Sequence, residues 1–203
     1  MKIAIGADHG GYELKTALVA ALAGKAELTD KGTDSRASCD YPDYAQAVAL
    51  AVAKGEVDFG LLVCTSGIGV SLAANRFQNV RAALCHTVDE AVLARQHNGA
   101  NVLCLGATKV SADYAAEIAS AFIATPEDAS ERHARRRAKL ERAGRLSDVS
   151  GLAKDDPEVF AAIVAQTEQE DTEINLIASE NTSSRACREA ARSEERRVGK
   201  ECR

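Results

Sequence analysis

Short apolar runs alternate with amphipathic stretches along the first 125 or so residues of the chain. The apolar runs predict five strands, at Lys2–Ala7, Glu27–Asp30, Phe59–Cys64, Arg81–Cys85 and Asn101–Leu105. Apolar residues at helical spacing predict helices over Tyr12–Ala23, Pro42–Lys54, Leu72–Asn75, Val88–Gln96 and Ser111–Ala124. Such alternation is typical of a parallel sheet covered by helices on both faces. We therefore predict an α/β fold, a three-layer sandwich with a five-stranded parallel sheet.

The composition changes after Thr125 and Pro126. Three segments follow: a basic helix predicted to project from the body at Glu131–Arg145, a linker at Ser147–Lys154, and a further helix at Pro157–Glu170. Arg192–Arg203 is charged and nearly without apolar residues, which is typical of disorder. We predict one folded domain over residues 1–145, then a linker and a short second segment over 146–191, and a non-globular tail over 192–203.

The overall composition limits the possible partners. The chain of 203 residues is 46% hydrophobic but only 4% aromatic, with no Trp, so its core is aliphatic. A net charge of −5 provides no basic field for nucleic acid. No apolar run approaches the roughly 20 residues that span a bilayer, and the first residues predict a strand rather than a leader peptide. We expect a cytoplasmic protein that binds neither membrane nor nucleic acid.

The spacing of the cysteines argues against two kinds of site. The six are Cys39, Cys64, Cys85, Cys104, Cys187 and Cys202. No two are spaced as C-x-x-C, so a zinc knuckle or a thioredoxin-type site is not predicted, and we expect no metal. Cys85 and Cys104 lie in apolar runs and are predicted to be buried. Cys64 differs because it ends a predicted strand beside polar residues.

The segment from Val63 to Ser71 contains the strongest candidates for a reactive site. A thiol, two hydroxyls and two glycines lie where a strand turns into a helix, and the N–H groups of such a turn attract anions and favour a thiolate. The pair Gly67 and Gly69 lacks the third glycine of a dinucleotide site and the Gly-Lys-Ser/Thr ending of a nucleotide loop. The segment therefore predicts a simple anion site beside a nucleophile or base.

A second polar group follows the first strand, at Asp8-His9-Gly10-Gly11. Carboxyl ends of parallel strands share one edge of a sheet, so this group is predicted to lie near Cys64. Asp8 can accept hydrogen bonds from sugar hydroxyls and His9 can donate to them, while the glycines allow close approach of a ligand. The alternative is an ordinary polar loop between a strand and a helix.

Two further groups leave alternatives open. His97 closes a predicted helix, where it is either a charge partner of the helix dipole or a general acid. Arg132 and Arg136 are four residues apart on one helix face, a spacing that suits a phosphate group. The same spacing also occurs on a solvated basic helix, and four other arginines share the segment.

Several separated motifs resemble those of type B ribose-5-phosphate isomerases, in the same order. They are Gly6–Lys15, Asp40–Ala45, Cys64–Gly69, Ala73–Arg76, Arg95–Asn98 and Arg132-His133. The resemblance covers about residues 1–145, and the wider family includes galactose-6-phosphate and allose-6-phosphate isomerases. It implies a Rossmann-like sheet and a homodimer or tetramer with shared active sites. It also implies aldose–ketose isomerisation through an enediolate, without metal or organic cofactor.

The resemblance implies a role for each matching residue. Cys64 is similar to the base that moves the proton, Ser66 to an assisting hydroxyl, and His97 to the ring-opening acid. The remaining matches are an anion hole formed by the amides of Thr65 to Val70, which include Gly67, Ile68 and Gly69; sugar contacts at Asp8, His9 and Asn98; and phosphate contacts at Arg132 and Arg136. Some members use a glutamate where this chain has Val70. The family usually has an arginine where this chain has Thr108, beside Lys109.

The sequence is compatible with three functions. The first is the interconversion of ribose 5-phosphate and ribulose 5-phosphate, a step of the pentose phosphate pathway. The second is isomerisation of a 6-phosphosugar such as allose or galactose 6-phosphate. The third is a sensor that binds a phosphosugar without catalysis.

The remaining segment has resemblances of its own. Asp156–Phe160 and Glu173–Asn181 resemble the beginning of serine hydroxymethyltransferase, whose pyridoxal-phosphate lysine lies far downstream of such a segment. Arg192–Cys202 resembles the translation of a common sequencing adapter. Our hypothesis is that the chain is translated from a fused isomerase–hydroxymethyltransferase reading frame that an assembly artefact cut short. The hydroxymethyltransferase part would then be inactive. A native basic tail is the alternative.

Overall fold

A computed structural model describes residues 1–147 and 157–172. The chain divides into two compact units, Met1–Arg145 and Leu146–Arg203. In the second unit the structure describes one helix, which begins at Pro157 and ends at Thr172, close to the prediction. Most of the predicted linker, the predicted disordered tail and the stretch Glu173–Asn181 lie outside the described residues.

The first unit alternates strands and helices as predicted. Its strands are β1 (Lys2–Ala7), β2 (Glu27–Asp30), β3 (Phe59–Cys64), β4 (Ala82–Leu84) and β5 (Val102–Gly106). Its helices are α1 (Tyr12–Leu22), α2 (Tyr41–Ala53), α3 (Ile68–Ala74), α4 (Val88–Asn98), α5 (Ala112–Ala124) and α6 (Glu131–Ser147), and α7 is the helix Pro157–Thr172.

The five strands form one parallel sheet in the order β2-β1-β3-β5-β4. The predicted α/β sandwich is therefore confirmed. The chain leaves β1 toward β2 on one side and leaves β3 toward β4 on the other side. The strand order thus reverses between β1 and β3, and ligands of open parallel sheets bind beyond the carboxyl ends of the strands at such a point.

Two aliphatic layers cover the sheet. Alternate residues of β1, β3 and β5, among them Ile5, Val63 and Leu105, pack with α1 and α5 on one face. The intervening residues, among them Leu62 and Cys64, pack with α2 and α3 on the other face. This alternation is what period-two side-chain direction requires of strands buried on both faces.

Cys85 and Cys104 are buried, as predicted. Burial raises the pKa of the Cys85 thiol to about 12 and raises the pKa of Cys104 well above its usual value. Both residues therefore act as small apolar side chains of the core.

The helix bounds differ from prediction at two glycines. Gly67 has a φ of 78°, so the chain turns sharply there and α3 begins at Ile68, four residues earlier than predicted. Gly99 has a φ of 60° and closes α4 after Asn98, two residues later than predicted. Left-handed φ values are favourable for glycine and costly for other residues.

Candidate active site

Asp8 and Cys64 are neighbours at the switch point between β1 and β3. The register places Ala7 opposite Val63, and Asp8 and Cys64 are the next residues along the two chains. Cys64 packs on the face covered by α2 and α3, and since side chains alternate along a strand, the continued register assigns Asp8 to the same face. The backbones of Asp8 and Cys64 are therefore adjacent at the carboxyl edge, and the two residues are 6% and 5% exposed.

The turn after β3 wraps around the sulfur of Cys64. The N–H of Gly67 donates a hydrogen bond of 3.1 Å to the Cys64 Sγ. The turn lies against the end of β5, because a Cβ on Gly106 would lie 2.6 Å from the carbonyl oxygen of Ser66. The glycines at positions 67 and 106 therefore allow the turn to pack closely on β5, with the Gly67 N–H directed at the Cys64 Sγ.

The other residues of this turn line its outer side. Thr65 and Ile68 are exposed, and Ser66 is half-buried. The Ser66 Oγ accepts a 3.3 Å hydrogen bond from the N–H of Ile68. Two amides of the predicted anion hole, those of Gly67 and Ile68, therefore donate to side chains of the same turn. A ligand oxygen would compete with those two acceptors for the amides.

Tyr41 adds an aromatic wall that the sequence did not indicate. A Cβ on Gly69 would lie 2.8 Å from the Tyr41 ring, so the first turn of α3 approaches the start of α2 closely. Tyr41 is 39% exposed. It therefore presents part of its ring to any ligand that reaches the Cys64 turn.

Asp8 and His9 are oriented by different neighbours. The Asp8 Oδ1 accepts a 3.0 Å hydrogen bond from the N–H of Gly11, and this bond fixes the carboxylate. The His9 Nδ1 lies 3.2 Å from both the backbone nitrogen and the carbonyl oxygen of Cys39. The Nε2 side of the exposed His9 ring is thus left for a ligand.

The thiol of Cys39 is a second feature that the sequence analysis missed. Its Sγ lies 3.9 Å from the His9 Nδ1. The hydrogen bond with Cys39 is the main cause that raises the pKa of His9 above its ordinary value, against an opposing effect of burial. For Cys39, burial acts to raise the pKa of the thiol. Its hydrogen bonds with Tyr44, His9 and Thr33 outweigh that effect, so the pKa of Cys39 is lowered. Nothing in the local sequence links residues that are 30 positions apart.

His97 and Asn98 lie at the opposite edge of the sheet. Helix α4 begins after the carboxyl end of β4 and ends before the amino end of β5. The guanidinium of Arg81, the residue before β4, donates to the carbonyl of Gly99 at 2.7 Å, so the end of α4 sits at the amino edge. Strands of five or six residues separate the two edges by roughly 16–20 Å, which is longer than a five-carbon phosphosugar.

The beginning of α6 packs against the end of α4 through His133. The rings of His97 and His133 are 4.2 Å apart, and the His133 Nδ1 lies 3.4 Å from the carbonyl of His97. The Arg132 Nη2 lies 2.9 Å from the His133 Nε2. These two contacts suit a ring that carries its proton on Nδ1 and accepts from Arg132. His133 had no assigned role in the sequence, although it adjoins Arg132.

Arg137 ties the same helix to α4, while Arg136 faces outward. The Arg137 guanidinium donates to the carbonyl of Gln96 in α4 at 3.5 Å. It also pairs with Glu127 at 3.2 Å and donates to the carbonyl of Asp128 at 3.1 Å, both in the loop before α6. Arg132 and Arg136 are exposed, as a binding role would require. Arg95, by contrast, is buried among backbone carbonyls and rests over the ring of Phe59 at 4.8 Å.

The predicted site residues thus form two half-sites. The carboxyl-edge half-site contains Asp8, His9, Cys64 and the turn Thr65–Gly69. The amino-edge half-site contains His97, Asn98, Arg132 and Arg136. One chain does not bring the two together.

No group of three or more His, Cys, Asp or Glu side chains that could hold a metal ion occurs among residues 1–147 and 157–172. Within the same part of the chain, no helix is both long and apolar enough to cross a membrane.

Known proteins resemble the first unit over nearly their whole length. Ribose-5-phosphate isomerase B of Escherichia coli is 49% identical over 123 residues, which cover 60% of this chain and 83% of that protein. A ribose 5-phosphate isomerase structure from Thermotoga maritima has a TM-score of 0.67 at 46% identity and covers 70% of this chain and 97% of its own. The type B enzyme of Trypanosoma brucei has a TM-score of 0.68 at 45% identity, with the same coverage.

The fold and the carboxyl-edge half-site define a class: an α/β protein with a Rossmann-like parallel sheet that presents polar chemistry at its switch point. Residues 3–140 match the family model described as Ribose/Galactose Isomerase. This chain belongs to that family, which is a family of isomerases.

Proposed function

We propose that this protein interconverts ribose 5-phosphate and ribulose 5-phosphate, with Cys64 as the base. The observation that carries the proposal is the sulfur of Cys64, which accepts a hydrogen bond from the Gly67 N–H at the strand end next to Asp8. The relatives from Escherichia coli and Thermotoga maritima, both described as ribose 5-phosphate isomerases, support the choice of substrate.

The reaction needs one base that serves two adjacent carbons. In the open-chain aldose, the Cys64 thiolate takes the proton from carbon 2, and the electron pair moves onto the carbonyl oxygen to form the enediolate. A proton then moves from one oxygen to the other, assisted by the Ser66 hydroxyl. The Cys64 thiol finally returns its proton to carbon 1, which completes the ketose with no net gain or loss of atoms.

The turn around Cys64 supplies the electrostatic support. The Gly67 N–H donates to the Cys64 sulfur, and a hydrogen bond to a charged acceptor is stronger than one to a neutral acceptor. The amides of Thr65 to Val70 also suit a developing enediolate oxygen, and those of Gly67 and Ile68 can exchange their present acceptors for it. Since Cys64 is nearly buried, water has little access to the reacting carbons.

The amino-edge half-site then belongs to a second copy of the chain. His97 of that copy would open the sugar ring, Asn98 would contact hydroxyls, and Arg132 and Arg136 would bind the phosphate. The separation of the half-sites within one chain supports this homodimer or tetramer with shared sites. Ile68 and Leu72, four residues apart on α3, are 53% and 58% exposed and offer an apolar face for the contact.

An assay with two sugars tests the substrate assignment. Ribose 5-phosphate and allose 6-phosphate are each incubated with the full chain in deuterated water, and both turnover and deuterium at carbon 2 are followed. We expect turnover and exchange with the five-carbon sugar. Faster turnover of the six-carbon sugar would reassign the substrate, and binding without any exchange would identify a sensor.

We further propose that catalysis needs only residues 1–145, without a cofactor, in the cytoplasm. The matched family model ends at residue 140, and Cys39, Cys64, Cys85 and Cys104 are free thiols, as a reducing compartment requires. Residues 146–203 would then be an inactive hydroxymethyltransferase-like segment followed by adapter-derived residues. Full activity of the chain shortened to residue 145 supports this view, and codons that do not spell an adapter would exclude the adapter origin.

A further inference from the structure

A cavity of about 440 Å³ opens at the carboxyl edge, next to the Cys64 turn. Its wall is formed by the loop after β1, the first turn of α1, the segment after β5 and one residue of the loop after β2. These wall residues are His9, Gly10, Glu13, Thr108 and Arg36, with four apolar neighbours.

Two contacts make this cavity continuous with the carboxyl-edge half-site. Gly10 lies against the Thr65 side chain, with the Asp8 Oδ1 beside it. The Thr108 hydroxyl donates a 2.9 Å hydrogen bond to the Thr65 carbonyl on the other side of the cavity. A ligand whose reacting carbons lie at Cys64 and Asp8 can therefore extend past Thr65 into this space.

The cavity contains one permanent positive charge, that of Arg36. Among its lining residues, all of which the structure describes, Arg36 is the only arginine or lysine. Its Nη2 pairs with the Oε1 of Glu13, and the two side chains are 77% and 69% exposed. Such an exposed ion pair is weak, so another anion can replace the carboxylate at little cost.

We propose that Arg36 binds the phosphate of the substrate in this cavity and exchanges its pairing with Glu13 for the phosphate oxygens. A phosphate carries more charge than a carboxylate and accepts two parallel hydrogen bonds from a guanidinium. His9 lines the same cavity, and its raised pKa widens the pH range over which the ring carries a positive charge. This assignment rests on the proposed function, and it adds one cation from the chain that supplies Cys64.

The test compares four variants of the full chain: Arg36→Gln, Arg36→Lys, Glu13→Gln and Lys25→Gln. Lys25 is an exposed cation in the turn between α1 and β2, at the amino edge, and serves as the control for net charge. The measurements are KM and kcat for ribose 5-phosphate, and the inhibition constant of inorganic phosphate. Circular dichroism confirms that each variant is folded.

We expect Arg36→Gln to raise KM and the phosphate inhibition constant about tenfold, with kcat nearly unchanged. Arg36→Lys should fall between it and the wild type. Glu13→Gln should lower the phosphate inhibition constant, and Lys25→Gln should change neither constant. A folded Arg36→Gln variant with both constants within about twofold of the wild type would overturn the assignment.

Binding measurements separate this assignment from the proposed function. If the wild type binds inorganic phosphate in titration calorimetry but turns over no sugar, the isomerase proposal fails while Arg36 remains testable by the same titration. Loss of phosphate binding in Arg36→Gln would then support its role. An equal weakening for unphosphorylated ribose would show that Arg36 does not recognise the phosphate.

Discussion

The imidazole rings of His97 and His133 pack against each other with their centroids 4.2 Å apart and their planes tilted by 35°. His133 is 3% exposed and comes from α6, whereas His97 lies in the last turn of α4. The contact therefore holds two candidate ligand-binding segments, those around His97 and Arg132, in one rigid arrangement. The same arrangement places them away from Cys64, at the other edge of the sheet.

Replacement of His133 should destabilise the protein. His133→Ala removes the packed ring, the contact with the His97 carbonyl and the partner of Arg132, which together predict a loss of about 2–4 kcal/mol of unfolding free energy. Urea denaturation measures this loss. The control is His86→Ala, because the His86 side chain is 43% exposed and pairs with the exposed Glu90, and its effect should stay below about 0.5 kcal/mol. Equal effects of the two substitutions would show that the ring contact contributes nothing.

Removal of the Cys64 sulfur should abolish proton exchange while the fold persists. We expect Cys64→Ala to reduce deuterium exchange at carbon 2 by about a thousandfold or more, since the base is lost. Cys104→Ala is the matched control, because Cys104 is buried in the same layer and loses the same atoms. Both variants should lose about 1 kcal/mol of stability, but only the first should lose activity. Retained exchange in folded Cys64→Ala would exclude Cys64 as the base.

The turn at Gly67 should tolerate no side chain. Gly67→Ala places a Cβ at a φ of 78° and 2.9 Å from the backbone of Leu105, so both strain and contact oppose it. Gly24→Ala has nearly the same φ of 75° with nothing within 4 Å, and it isolates the cost of strain alone, about 1–2 kcal/mol. We expect Gly67→Ala to lower the melting temperature more than Gly24→Ala does. Only Gly67→Ala should also lower kcat. Similar stability and full activity in both variants would contradict the close packing of this turn.

Much of this geometry follows from the sequence, because the pattern of apolar runs determines strand and helix order locally. That order alone predicts that Asp8 and Cys64 share one edge. The pairing of Cys39 with His9 depends instead on how the loop after β2 folds back over the β1 loop. The burial of Lys15 beside Asp30, at 2.6 Å, likewise depends on long-range packing. Such contacts leave no periodic signal along the chain.

Substrate affinity should depend on the protonation of His9. Its folded-state pKa is raised above 6.5, so the charged ring, with its contribution to binding, is present at lower pH and is lost as the pH rises through the raised value. KM should therefore increase on the alkaline side of that pKa.

Cys39→Ala should move this profile to lower pH, because the thiol hydrogen bond is the main cause of the raised pKa. Titration of the His9 ring by nuclear magnetic resonance measures the shift directly, and Cys104→Ala provides a cysteine control far from His9. An unchanged His9 titration in Cys39→Ala would mean that the thiol does not set this pKa.

The most direct test of the account mixes two inactive variants, Cys64→Ala and His97→Ala. If each site combines the carboxyl edge of one chain with the amino edge of another, a mixed dimer regains one intact site from its two unaltered halves. Unfolding and refolding the two variants together in equal amounts should restore about a quarter of wild-type activity, since half of the dimers are mixed and each has one working site of two. Activity that stays at the level of the separate variants would contradict the shared site.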